Sequence, residues 1–170
     1  MAIDLLRYLF AAIILVLLQF FLIQEINFGA WLKPMPYILF ILLLPFSYNR
    51  FLKLLSAFFI GLLLDIFSNS GGLHAAACAT LAFGRIMTDE KLIDADAIQL
   101  QGYHHVTPEY KNFTYYALYV FSLTFLHHWV YFTLDYFTFT SFFSVIATSL
   151  LSSIGTFLLM LLYKIIAKIQ

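Results

Sequence analysis

Residues 61–85 read GLLLDIFSNSGGLHAAACATLAFGR, and this stretch decides how the chain is built. It opens in an apolar run that carries one acid, Asp65. A polar turn follows, with Ser68, Asn69, Ser70, Gly71 and Gly72. Then comes a helix of mostly small residues, with His74 near its start and Arg85 near its end. An ionisable side chain in hydrocarbon costs about 2.5–3.5 kcal/mol on insertion scales, so Asp65 needs a reason to be there. The stretch predicts a membrane hairpin. Within it Asp65 either pairs with His74, accepts backbone N–H groups at the start of the return helix, or sits at the tip, capping the turn and reaching headgroups.

The rest of the composition agrees with a membrane setting. Of 170 residues, 63% are hydrophobic and only 11% are charged, with 20 Phe and 11 Tyr. Soluble domains are about 25% charged, and a chain this short has no core large enough to hide so much apolar surface. Formal net charge is zero, which gives no electrostatic footprint for nucleic acid. The lone Cys78 excludes an internal disulfide and a thiolate metal cluster.

Outward from the hairpin, the chain divides into six apolar segments in one domain, 1–170. Expected helices lie at about 5–23, 34–48, 51–67, 72–87, 108–131 and 142–166, with a polar cytoplasmic loop at 88–107. The first has no cleavage site after it and reads as an uncleaved helix. The second is short and irregular, because Pro34 and Pro36 suit a first turn whereas Pro45 ends or kinks it. Thr107, Pro108 and Glu109 form a start signal for the fifth. With the N-terminus inside, Arg7, Arg50, Lys53, Arg85, Lys91, Lys111, Lys164 and Lys168 all face the cytoplasm and only Lys33 faces out. Both termini are then cytoplasmic and the 68–72 turn is external.

Two stripes of small residues recur at four-residue spacing. Gly72, Ala76, Thr80 and Gly84 mark the fourth helix; Ser144, Thr148, Ser152 and Thr156 mark the sixth. Such stripes let helices approach closely in lipid. The expectation is that these two helices pack on each other, the rival being a groove for another protein's helix. Asp65, Asn69, Gly71, Gly72 and His74 form the candidate binding surface for a partner or polar ligand. The histidines give no helical zinc pair at i, i+4, and only His74, His127 and Asp65 could converge on an ion. Trp129 and Tyr131 make an interfacial aromatic belt the simpler reading of His127 and His128. No nucleophile elbow, phosphate loop, haem ligand pattern or paired carboxylate is present, so the sequence reads as non-catalytic and free of cofactors.

Gly61, the aliphatic run, Asp65-Ile66-Phe67, the polar turn and Gly72-Leu73-His74-Ala75 closely resemble the core pattern of the rod shape-determining protein MreD family. The motif resemblance covers about residues 40–87; length, six spans and cytoplasmic termini extend it to the whole chain. It implies an all-α, six-helix transmembrane bundle similar to the substrate-binding subunits of energy-coupling-factor transporters. The implied role is a non-catalytic scaffold of cell-wall elongation in the bacterial inner membrane. It would contact an MreC-like bitopic protein and membrane lipid, and through that protein actin-like MreB filaments and peptidoglycan synthases. The rival is a small-molecule-binding subunit of a vitamin-type transporter. Those subunits dock through an Ala-x-x-x-Ala pattern in the first helix, whereas Ala11 and Ala12 here are followed by Leu15 and Val16. The acidic 86–112 region departs from what the resemblance leads one to expect of a cytoplasmic contact site.

Overall fold

The structure, a computed structural model, describes residues 10, 12–26, 29, 31–92, 105–107, 112–137 and 142–169. The beginning of the expected first helix, most of the 88–107 loop and the Pro108 start signal lie outside them. Every regular element among the described residues is helical. We number them α1 (Ala12–Ile23, closing in a wide π turn at Gln19–Ile23), α2 (Leu39–Leu43, entered through a 3-10 turn at Pro36–Ile38), α3 (Arg50–Ser68), α4 (Leu73–Leu92), α5 (Phe113–Tyr136) and α6 (Phe142–Ile169). Among the described residues three stretches are long and apolar enough to cross a membrane: Arg50–Ser68, Phe113–Tyr136 and Phe142–Lys164. At 20 residues α4 is about 30 Å long, which matches the hydrocarbon thickness even though its small residues make it less apolar. This is an all-α, multi-span membrane fold.

Local chemistry sets the helix ends. Asn49 caps α3 by accepting from Leu52 N at 2.7 Å, and Asn112 caps α5 by accepting from Tyr115 N at 2.8 Å. Asn69 stops α3 in the left-handed region (φ 52°), and Gly71 and Gly72 (φ 64° and 97°) carry the reversal into α4. Each long helix packs on the next in sequence: α3 on α4, α4 on α5 and α5 on α6. The closest crossing is at Gly61, where a Cβ would stand 2.5 Å from the His74 carbonyl oxygen and the Ala75 Cα. No side chain fits between α3 and α4 there.

The second segment is where the structure departs most from the expected span at 34–48. It is a 3-10 turn and five helical residues, too short to cross hydrocarbon on its own. It forms instead the centre of the core: Tyr37, Ile38, Ile41 and Leu44 are at most 1% exposed. Broken backbone at this depth survives only if the surrounding protein takes up its polar groups. Two prolines remove two N–H groups, and α6 takes up two more. Lys33 N donates to Ser152 Oγ at 2.9 Å, and Met35 N donates to Thr156 Oγ1 at 2.8 Å. The Pro34 carbonyl accepts from Gln19 Nε2 at 3.3 Å. At the other end the Arg85 guanidinium donates to the carbonyls of Ile41 and Leu44, and Lys53 Nζ donates to that of Phe46 at 3.2 Å.

That segment also corrects the expected meeting of the two small-residue stripes. Tyr37 lies between α4 and α5, and Met35 is bound to α6, so α4 rests on α3 and α5 while α6 rests on α5 and the broken segment. Gly84 faces Leu126 of α5, and Gly155 faces Leu32. Gly72 belongs to the turn and has open space where a Cβ would be. Ala76 and Thr80 are half-buried on α4, whereas Thr148 and Ser152 are fully buried on α6.

The polarity of the molecule is inverted relative to a soluble protein. Lys53, Asp65, His74, Arg85, Asp89 and His127 are under 9% exposed, while Phe51, Ile66, Leu118, Phe143 and Leu158 are more than half exposed. A surface that presents aromatic and aliphatic groups over a polar interior suits a hydrocarbon solvent.

Candidate functional site

Three polar clusters lie inside the bundle, and each is built by a different piece of chain. The first closes the hairpin. Asp65, one turn before the end of α3, accepts from His74 N at 2.9 Å and Ser70 Oγ at 2.6 Å with Oδ1, and from Ala75 N at 2.8 Å with Oδ2. The carboxylate thus caps the N-terminus of α4, where the helix dipole and unpaired N–H groups favour an anion. Of the arrangements the sequence left open, backbone capping is the one found, and Asp65 is 5% exposed rather than out among headgroups. Asn69, Gly71 and Gly72 shape the turn that brings the carboxylate to these amides.

The second cluster centres on Tyr37. Its hydroxyl lies 2.8 Å from His74 Nδ1 and 2.9 Å from His127 Nε2, with Cys78 Sγ at 3.9 Å. His127 and His128 are fully buried, which corrects the interfacial-belt expectation. His128 Nδ1 donates to the Thr124 carbonyl at 2.8 Å, so in the neutral ring Nε2 is an acceptor, facing the Thr156 hydroxyl at 3.2 Å. His74 and His127 therefore meet through a phenol rather than around an ion. Among the described residues no group of three His, Cys, Asp or Glu has the geometry to hold a metal.

The third cluster, at the opposite end, is charged. Arg85 Nε stands 3.3 Å from Asp89 Oδ2, an ion pair one turn apart on α4 without hydrogen-bond alignment. Lys53 Nζ is 3.9 Å from the same oxygen, and Tyr119 Oη donates to Asp89 Oδ1 at 2.6 Å. Arg85 is 1% exposed and spends its Nη groups on the carbonyls where α2 ends. A guanidinium suits this position because it offers several donors in a rigid plane and stays charged when buried.

Beside the first two clusters a cavity of about 360 Å³ opens at the turn end of the bundle. Gln19, Gln24, Glu25, Lys33, His74 and Tyr131 supply its polar side chains. Of the sequence-predicted binding residues only His74 reaches it; Asp65 lies behind, occupied with α4 backbone. Sequence reasoning missed Tyr37, Gln19 and Tyr131. A polar side chain within a proline-bracketed apolar run was the available signal for Tyr37, and Gln19 inside the first apolar run was the signal for that residue. No protein-family model matches the chain, and neither a curated protein nor a solved structure matches it.

Proposed function

We propose that this chain is a non-catalytic membrane scaffold of bacterial cell-wall elongation, holding the single helix of an MreC-like bitopic partner. The observation that carries the reading is the use to which the hairpin motif is put. Gly61, Asp65 and His74 resemble the MreD pattern, and here Gly61 admits the α4 backbone while Asp65 satisfies its first amides. These are fastening roles, and they leave the lipid-facing sides of the helices to do the recognition. On this reading the molecule completes a six-helix bundle akin to the vitamin-binding transporter subunits. It sits in the inner membrane with both termini in the cytoplasm.

The partner helix belongs in the apolar groove of about 430 Å³ between α1 and α3. Ala12 and Ser56 keep it shallow in side-chain bulk, and Val16, Phe59, Ile60 and Leu63 wall it. Small residues at such a seam permit close approach of a second backbone, which is what drives helix association in lipid. A photo-crosslinking residue at Phe59 or Leu63 should capture the bitopic partner in cells, whereas one at Leu158, on the exposed side of α6, should not. Depleting the chain should round rod-shaped cells. Retained rod shape together with no capture at α3 would overturn the proposal.

A further inference from the structure

We infer that the cavity at the turn end is a binding site for a small zwitterionic head, an anionic phosphate with an ammonium group beside it. The inference stands apart from the scaffold reading and rests on how the Tyr37 cluster distributes its protons. The Tyr37 hydroxyl has one proton to give, and two imidazole nitrogens lie within 2.9 Å of it. It donates to one ring and accepts an N–H from the other. If it donated to His127 Nε2, His127 would carry its proton on Nδ1, which is buried without a partner. An orphaned N–H is the rarer and costlier defect, whereas a bare acceptor is better tolerated. Tyr37 therefore donates to His74 Nδ1, and His127 Nε2–H donates to Tyr37.

His74 then holds its own proton on Nε2. His74 is 5% exposed, lines the cavity, and has no further side-chain partner for that N–H among the described residues. On this assignment His74 brings to the cavity lining an N–H donor that no other described side chain takes up. Tyr131 packs at a tilt against His74, with ring centroids 4.6 Å apart, and adds a hydroxyl. Lys33 adds a positive charge, held only loosely by Asp135 at 3.9 Å. These donors, one of them cationic, favour an oxyanion. Opposite chemistry is present too: Glu25 lines the same cavity, and Gln19, 6% exposed, has its Oε1 buried without a partner. Those acceptors suit an ammonium or other N–H donor. A volume of about 360 Å³ lies at the lower end of small-molecule sites and is enough for such a head.

The same head could arrive on a free metabolite or on a phospholipid, and both arms can be run on the full chain in lipid nanodiscs. In discs of phosphatidylglycerol, sn-glycero-3-phosphoethanolamine should bind saturably and about tenfold or more tighter than either glycerol 3-phosphate or ethanolamine alone. Lys33→Gln should weaken glycerol 3-phosphate by about tenfold and leave ethanolamine unchanged, and Glu25→Gln should do the reverse. Both side chains are on the rim, so thermal stability of the unliganded protein should not move. A free ligand gives the same Kd whether or not the discs contain phosphatidylethanolamine. A lipid headgroup gives an apparent Kd that rises with phosphatidylethanolamine content, with one such lipid retained in native mass spectra. Absence of probe binding with no retained lipid overturns the inference, and so does binding indifferent to both substitutions.

Discussion

The two ends of the bundle solve the same problem with different chemistry. At the turn end the buried groups are one carboxylate and a set of neutral rings and hydroxyls. At the Arg85 end they are three charges, Arg85, Asp89 and Lys53, tied to each other and to backbone carbonyls. The difference follows from what each end must satisfy. The broken second segment exposes N–H groups at its start, which hydroxyls can take, and carbonyls at its end, which need donors. Donors with reach come mostly as cations, so an acid had to follow them inside. The Arg85 end consumes its charges internally. The turn end, whose one buried charge is spent on the α4 amides, has hydrogen-bonding capacity left over, and that surplus faces a cavity.

The comparison breaks most visibly at Arg85. Arg85→Met should cost about 3–5 kcal/mol of stability, because it takes the guanidinium from Asp89 and the donors from two buried carbonyls. Detergent thermal unfolding and membrane abundance would both fall, and Arg85→Met with Asp89→Asn should recover part of the loss. A single variant as stable as the parent would show that this end does not hold the second segment. Asp65→Ala should come next, at about 2–3 kcal/mol, since it removes a charged acceptor from two amides and a hydroxyl. Asp65→Asn should lose less, the carboxamide oxygen retaining one of those bonds. Equal losses in the two variants would shift the weight from capping to simple packing.

Tyr37→Phe should be the mildest, at about 1–2 kcal/mol, because the ring still fills its site and only the hydroxyl is lost. Its sharper signature is spectroscopic. Ring-nitrogen chemical shifts of both His74 and His127 should move together, since one hydroxyl bridges them. Movement of only one ring would dissolve the bridge and with it the proton assignment at the turn end.

Much of the architecture was legible in the residues and much of the site was not, for physical reasons that can be named. Apolar run length found α3, α5 and α6, and the Asp65–Gly72 punctuation found the α3–α4 hairpin. Pro34, Pro36 and Pro45 announced an irregular second element. They did not announce its burial, because a run such as YILFILLL is equally at home against lipid or against protein. His127 and His128 were misread for a related reason: Trp129 and Tyr131 beside them suggest an interface, and only the depth of α5 in the fold reveals a core. The hydroxyls of Ser152 and Thr156 looked like room for a helix to approach. Their actual work, binding the amides of Lys33 and Met35, connects residues 119 and 121 positions apart, a distance no local pattern spans.

Those long connections bear on how the chain is made. Residues 31–48 leave the ribosome long before Arg85, Ser152 and Thr156 exist, and without them the segment brings open N–H and C=O groups into hydrocarbon. Insertion one span at a time is therefore expected to stall here. The expected outcome is that the segment seats only once α6, which holds the amides of Lys33 and Met35, is in place. Chains cut before Phe142 should be recovered with residues 31–48 accessible to protease, whatever the state of the α3–α4 hairpin. On that expectation an early segment, residues 31–48, is among the last to be seated.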